Sequence, residues 1–238
     1  MLIFIGLDDT DTPDSPGTNQ IAKAIVATLA DRYRFEWIAR HQLLIDPRVP
    51  YTSKNGCASM LVHGRSGDDP QAQLDELFET ARDVLRERFV EGSDPGLCVT
   101  NQVPPPIVEF WHRCRQEVVE AAEARRLARE ASLRLEGLGG TCEGVIGALA
   151  AVGAGATGND GRLVQWRMQP DDLSGLQPVS ILNERQVQVT HLESGSPITS
   201  GSVDIGKRLR PNLREGGAVL FAAPCEEGPA DHRAVKLP

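Results

Sequence analysis

The chain opens on an apolar run, Met1 to Leu7, that ends in acidic residues, and this predicts a buried strand. Asp8 to Gly17 holds four aspartates, two prolines and a glycine, which predicts a loop. Ile21, Ile25 and Leu29 then recur at helical spacing within a predicted helix over Asn19 to Tyr33. Arg34 to Ile45 reads as a strand, Asp46 to Gly56 as a loop with two prolines and Asn55-Gly56, and Cys57 to His63 as another strand. Asp69-Pro70 supplies an N-cap and a first helical position. Leu74, Leu77, Phe78, Ala81, Leu85 and Phe89 mark one face of the long helix that follows. Gly96 to Thr100 is a short strand. The order β-α-β-β-α-β is the split βαβ pattern of a ferredoxin-like half.

Pro104-Pro105-Pro106 punctuates the chain, and Ile107 to Ala131 then reads as one helix dense in both charge signs, the usual mark of a solvated face. Leu133 to Leu135 reads as a strand. A glycine-rich stretch around Gly139 to Gly147 leads into Val145 to Ala154, which is almost wholly small or aliphatic and therefore predicts a buried helix. Arg162 to Met168 reads as a strand. From Pro170 onward, short apolar runs (Val179–Leu182, Val187–His191, Ala218–Ala222) alternate with Gly, Pro, Ser and Asn. The expected fold class is α+β, with a ferredoxin-like half, a glycine-rich helix and a small β-rich C-terminal module. The expected division is residues 1–168 and residues 169–238.

Composition changes this picture little. The 238 residues are 40% hydrophobic and 24% charged, with aromatics at only 5%, so aliphatic side chains must supply most of the core. A net charge of -8 argues against a broad basic surface for nucleic acid. The five cysteines are scattered without a C-x-x-C pair, which disfavours a disulfide framework and a cysteine-only zinc knuckle. No apolar run is long enough to span a bilayer, and the N-terminus lacks a basic leader. A reduced, cytoplasmic protein without a membrane partner is expected.

Four segments could carry chemistry. Asp8, Asp9 and Asp11 follow the first strand, where α/β proteins commonly hold ligands. Clustered carboxylates suit Mg²⁺, which binds one or two of them together with substrate phosphates. Aspartates that cap turns fit the same spacing equally well. Thr18 follows Gly17 at the start of the first helix, either as an N-cap or as a hydroxyl beside the acids. The glycines up to Gly144 and Gly147 precede an apolar helix, whose N-terminus is an anion site, or they form a tight turn into a packed helix. Lys54 lies in the loop before Asn55-Gly56, where it fits a phosphate partner or an exposed turn. Lys207, Arg208, Arg210 and Arg214 form the one basic patch, which fits a solvated loop best and otherwise a polyanion or acids across a dimer. None of the five histidines is paired at metal-ligand spacing, and no Ser-His-Asp arrangement is predicted.

In this order the pieces resemble the tRNA(Ile) 2-agmatinylcytidine synthetase family. Gly6-Leu7-Asp8-Asp9-Thr10-Asp11, with Thr18 and Ala22 beyond it, is similar to that family's opening motif. So is Leu44 to Tyr51, and so is Asp94-Pro95-Gly96 followed by Val103-Pro104-Pro105. Gly144 to Gly153 resembles its core helix closely. The resemblance implies a kinase-like domain that uses ATP and Mg²⁺ to activate the C2 position of a tRNA cytidine, with agmatine then displacing the activating group. It implies that Asp8, Asp9 and Asp11 hold the metal, that Thr18 is phosphorylated, and that Gly144 and Gly147 form the phosphate-facing turn. Thr52 stands where the family has a lysine, with Lys54 as the neighbouring candidate, and Glu143 replaces a basic residue. The match fades beyond Arg167, and the family's tRNA-holding OB-fold and zinc-ribbon modules are expected to be absent. An ATP- and Mg²⁺-dependent ligase-type enzyme is therefore expected, with nucleotide as partner and tRNA as the candidate acceptor. A kinase or ligase for a small molecule, or a nucleotide-binding module without catalysis, are the alternatives.

Overall fold

The computed structural model describes residues 1–49 and 55–237. The chain runs β1 (Leu2–Asp8), α1 (Thr18–Leu29), β2 (Arg34–Gln42), β3 (Gly56–His63), α2 (Pro70–Glu87) and β4 (Gly96–Thr100). It continues through α3 (Pro105–Cys114), α4 (Ala121–Glu130), β5 (Arg134–Gly137), α5 (Val145–Thr157) and β6 (Arg162–Trp166). The remainder is β7 (Leu176–Pro178), α6 (Val179–Glu184), β8 (Val187–His191), β9 (Ser202–Asp204), β10 (Asn212–Arg214), β11 (Gly217–Pro224) and β12 (His232–Ala234).

The fold is mixed α+β on a large, mostly antiparallel sheet. Its strands lie in the order β5-β4-β1-β3-β2-β6-β10-β11-β12-β9-β7, with β8 parallel to β11. β6 joins the two stretches of sheet, since it pairs with β2 on one side and with β10 on the other. β1 lies between β3 and β4 and is antiparallel to both. Because side chains alternate along a strand, Ile3, Ile5 and Leu7 enter the core shared with α1 and α2. Phe4, Gly6 and Asp8 point to the other side, where α5 packs. α5 is buried along nearly its whole length between the sheet and α3, and it ends at Gly158 in the left-handed conformation.

Four expectations are corrected by this arrangement. The helix expected over Ile107 to Ala131 is two helices. Ile107, Phe110, Trp111 and Cys114 form one buried stripe, whose continuation would pass through Val118, and Val118 is exposed. Ala124, Leu127 and Ala128 are buried instead, so the stripe changes phase and the chain must turn between the helices. The run Val179 to Leu182 is helical in α6, with Val179 and Leu182 buried at a spacing of one turn. α2 stops at Glu87, before Phe89, which is exposed. α1 is capped by Gly17, and Thr18 is its first residue. The expected cap of α2 is present, with Asp69 accepting a hydrogen bond from the Ala72 backbone at 2.8 Å. Among the described residues, no helix is long and apolar enough to cross a membrane.

Candidate functional site

β1 delivers Asp8 to the α5 side of the sheet, directly beneath the first turn of that helix. A Cβ added at Gly147 would stand 2.7 Å from Asp8 Cβ and would overlap its carboxylate. Glycine at 147 is thus required by the close seat of Asp8. Gly144, at the start of α5, lies against the approach to β4, where an added Cβ would overlap the Asp94 carbonyl oxygen and stand 2.7 Å from the Gly96 nitrogen. The glycines therefore bring the helix start down onto the ends of β1 and β4.

The Asp8–Gly17 loop folds back over this point. Asp9 adopts a left-handed backbone with φ 49°, a conformation aspartate tolerates better than most residues. Its carbonyl accepts a hydrogen bond from Asp94 N at 3.0 Å. The Thr18 hydroxyl donates to Asp11 Oδ1 at 3.2 Å and makes no capping bond to its own helix. Thr18 is the first residue of α1, so the start of that helix positions its hydroxyl.

Asp8, Asp9, Asp11, Thr18 and Gly144 all line one cavity of about 610 Å³. Glu91, Asp94, Glu117 and Glu143 add further carboxylates, and Leu43, Leu44, Phe89, Val118 and Val119 form its apolar surfaces. No Lys, Arg or His lines it among the described residues. Gly147 does not line the cavity; it lies behind Asp8. Lys54 and Thr52 lie outside the described residues.

The charge balance leaves the acids under strong mutual repulsion. Protein atoms packed around the Asp8 carboxyl, reinforced by the charges of Asp9 and Asp11, push its pKa up to about 8. The Asp9 backbone N–H and the Arg40 guanidinium offset part of that shift. Burial, then the charges of Asp94 and Asp11, push Asp9 up to about 6. Among the described residues, no group of three or more His, Cys, Asp or Glu converges as an all-protein metal cage. The oxygen-only donors instead fit an ion that keeps water and substrate phosphates in its shell, as Mg²⁺ does. Arg40 is the cation behind this wall, and Gly56 leaves room for its guanidinium.

Sequence reasoning missed two groupings. Asp94 joins the acids because β4 pairs with β1, with Gly96 opposite Asp8. Its signal in the sequence was the resemblance of Asp94-Pro95-Gly96 to a family segment, which assigned Asp94 no role. A Ser-His-Asp constellation also exists, contrary to expectation. His41 Nδ1 lies 3.1 Å from Asp160 Oδ1, and His41 Nε2 lies 2.6 Å from Ser59 Oγ. Burial alone would raise Asp160, but the His41 hydrogen bond and the Arg115 charge hold its carboxyl below the usual range. Ser59 and His41 are 0% exposed, so no substrate reaches them. The basic patch divides: Arg208 and Arg210 turn to Asp171 together with Lys23, whereas Arg214 packs over the Phe221 ring.

The chain is similar to known proteins over much of its length. The chain is 30% identical over 157 residues to TiaS of Pyrococcus horikoshii, a 2-agmatinylcytidine synthetase for an isoleucine tRNA, covering 64% of this chain and 36% of that protein. It is 31% identical over 156 residues to the same-named protein of Methanocorpusculum labreanum, covering 63% and 34%. The chain thus spans about a third of the length of the curated relatives it matches. Among solved structures, it resembles TiaS in complex with its isoleucine tRNA and ATP, with a TM-score of 0.56 at 24% identity, over 64% of this chain and 36% of that one. It also resembles a tRNA fluorescent labeling enzyme with a TM-score of 0.54 at 25% identity, over 64% and 36%. The family described as the TiaS TCKD domain matches residues 4–136, which include the acidic loop, Thr18 and Asp94. Matched over more than half of its length, the chain belongs to the TiaS TCKD domain family.

Proposed function

We propose that this chain is an ATP- and Mg²⁺-dependent ligase-type enzyme. It activates a cytidine oxygen of tRNA by phosphoryl transfer and replaces it with an amine. The observation that carries this reading is the convergence of Asp8, Asp9, Asp11, Thr18 and Gly144 on one cavity. The curated relatives are named for 2-agmatinylcytidine synthesis on an isoleucine tRNA, and similar folds carry that tRNA with ATP, or with AMPCPP and agmatine, in their complexes.

The residues divide the work by position. Asp8, Asp9 and Asp11 hold the metal side of the nucleotide. Bound Mg²⁺ supplies charge neutralisation for the phosphates. The Thr18 hydroxyl, oriented by Asp11, is the phosphoryl acceptor on the protein. The N-terminus of α5 at Gly144 turns backbone N–H groups and the positive helix end to the phosphates, while Gly147 lets Asp8 approach. Lys54 is the candidate phosphate lysine. The acidic wall of Glu91, Glu117 and Glu143 beside Val118 and Val119 suits a cationic alkyl amine. β1 to β4 with α1 and α2 are read as a ferredoxin-like half. Residues 1–168 are read as the catalytic unit, residues 169–238 as a β-rich module, and the protein as cytoplasmic.

A second reading, a kinase or ligase for a small cationic acceptor, draws on the same excess of carboxylates. Incubation with α- or γ-labelled ATP and Mg²⁺, with and without bulk tRNA and agmatine, separates the two. Label on tRNA supports the first, and consumption independent of tRNA supports the second. Unconsumed nucleotide and unlabelled protein under every condition would rule out both.

A further inference from the structure

Asp94 is connected to both halves of the site. Its backbone N–H binds the Asp9 carbonyl, so it is fixed to the acidic loop. Its Oδ2 accepts from the Thr141 hydroxyl and, at 2.9 Å, from the Glu143 backbone N–H. The turn before α5 wraps the side chain closely: Gly140 has φ 56°, and a Cβ there would stand 3.1 Å from Asp94 Cγ. Oδ1 is buried, has no hydrogen-bond partner among the described residues, and belongs to a side chain on the cavity wall. A buried acceptor of this kind calls for a donor from a ligand or its water. Of the charges that act on the Asp9 carboxyl, that of Asp94 is the largest.

We propose that Asp94 is a positioning carboxylate that couples the two loops: Oδ2 clamps the turn ahead of α5, and Oδ1 receives a donor from the hydrated divalent cation held beside Asp9. The inference rests on the reading of a Mg²⁺–nucleotide site. A magnesium ion that keeps several waters presents such donors to surrounding carboxylates. Occupancy of the cation then reinforces the same carboxylate that orders the glycine turn, so metal and phosphate subsites form together.

Asp94→Asn keeps an acceptor for Thr141 and Glu143 but removes the charge and the second acceptor. Asp94→Ala removes both, and Thr141→Ala removes one clamp bond alone. Each full-length variant is titrated with Mn²⁺ by electron paramagnetic resonance, and amide hydrogen exchange is followed over residues 139–146. Expected for Asp94→Asn is at least tenfold weaker Mn²⁺ binding with the wild-type exchange pattern in the turn. Expected for Asp94→Ala is the same loss of binding together with faster exchange, at the Glu143 amide above all. Thr141→Ala should bind Mn²⁺ within twofold of wild type. Undiminished binding by Asp94→Asn, or unchanged exchange in a folded Asp94→Ala protein, would overturn the role of Asp94 alone. A wild-type protein that binds no Mn²⁺ would overturn the metal reading itself, and this proposal with it.

Discussion

The Asp8 carboxylate lies against the backbone of Gly147, so the first turn of α5 and the end of β1 share a space that no additional methyl group can enter. Gly147→Ala must displace either the helix or the carboxylate. Overpacking of this kind costs about 1–3 kcal/mol. The urea midpoint should fall with an unchanged slope, and ATP consumption should fall further than the folded fraction explains. A variant of wild-type stability and turnover would mean that Asp8 is not held where the structure has it.

The raised acids carry a sign for stability against pH. In the unfolded chain both Asp8 and Asp9 titrate near 3.8, whereas the folded values are about 8 and about 6. The folded state therefore binds more protons between those limits, and stability falls as pH rises. The fall is steepest from about pH 4 to 6, where both acids contribute, shallower up to about 8, and absent above it. A single fully differing proton corresponds to about 1.4 kcal/mol per pH unit. Urea midpoints without Mg²⁺, compared between wild type and Asp8→Asn, should isolate the Asp8 share. The difference curve should continue past pH 6 and flatten above pH 8. A flat difference across the whole range would contradict the burial of that carboxyl. Mg²⁺ should oppose the loss at high pH, because it binds the ionised form.

Much of this site is legible along the chain because its strongest parts are local. The apolar run into Asp8-Asp9, the Asp69-Pro70 helix start and the aliphatic helix after Gly144 each carry their signal within a few residues. Asp94 is different. It stands more than eighty residues from Asp9, and only the antiparallel pairing of β1 with β4 joins them. His41, Ser59 and Asp160 meet for the same reason, through β2–β3 pairing and the turn after α5. The break between α3 and α4 contains no glycine or proline; it follows from where the buried stripe changes phase, and that depends on the position of α5. α6 is too short for its helical spacing to stand out from a strand.

Thr18 offers a test of the acceptor. Its hydroxyl faces Asp11 and makes no cap, so its removal should cost the helix little. Thr18→Val should abolish label transferred from γ-labelled ATP to the protein while shifting the melting temperature by only a few degrees, and Thr18→Ser should restore labelling. Equal labelling of the Thr18→Val protein would place the acceptor elsewhere.

The buried Ser59–His41–Asp160 group has the geometry of a hydrolase triad but not its access. A carboxylate only accepts hydrogen bonds, so the imidazole donates from Nδ1 to Asp160, and its Nε2 pairs with the Ser59 hydroxyl. This network ties β2 and β3 to the turn between α5 and β6. Ser59→Ala leaves Nε2 buried without a partner, a loss of about 1–3 kcal/mol. A structural tie predicts a lower melting temperature with unchanged ATP turnover per folded molecule. A nucleophile predicts the reverse, near-native stability with turnover gone, and that outcome would require a route for substrate to a serine that is now fully enclosed.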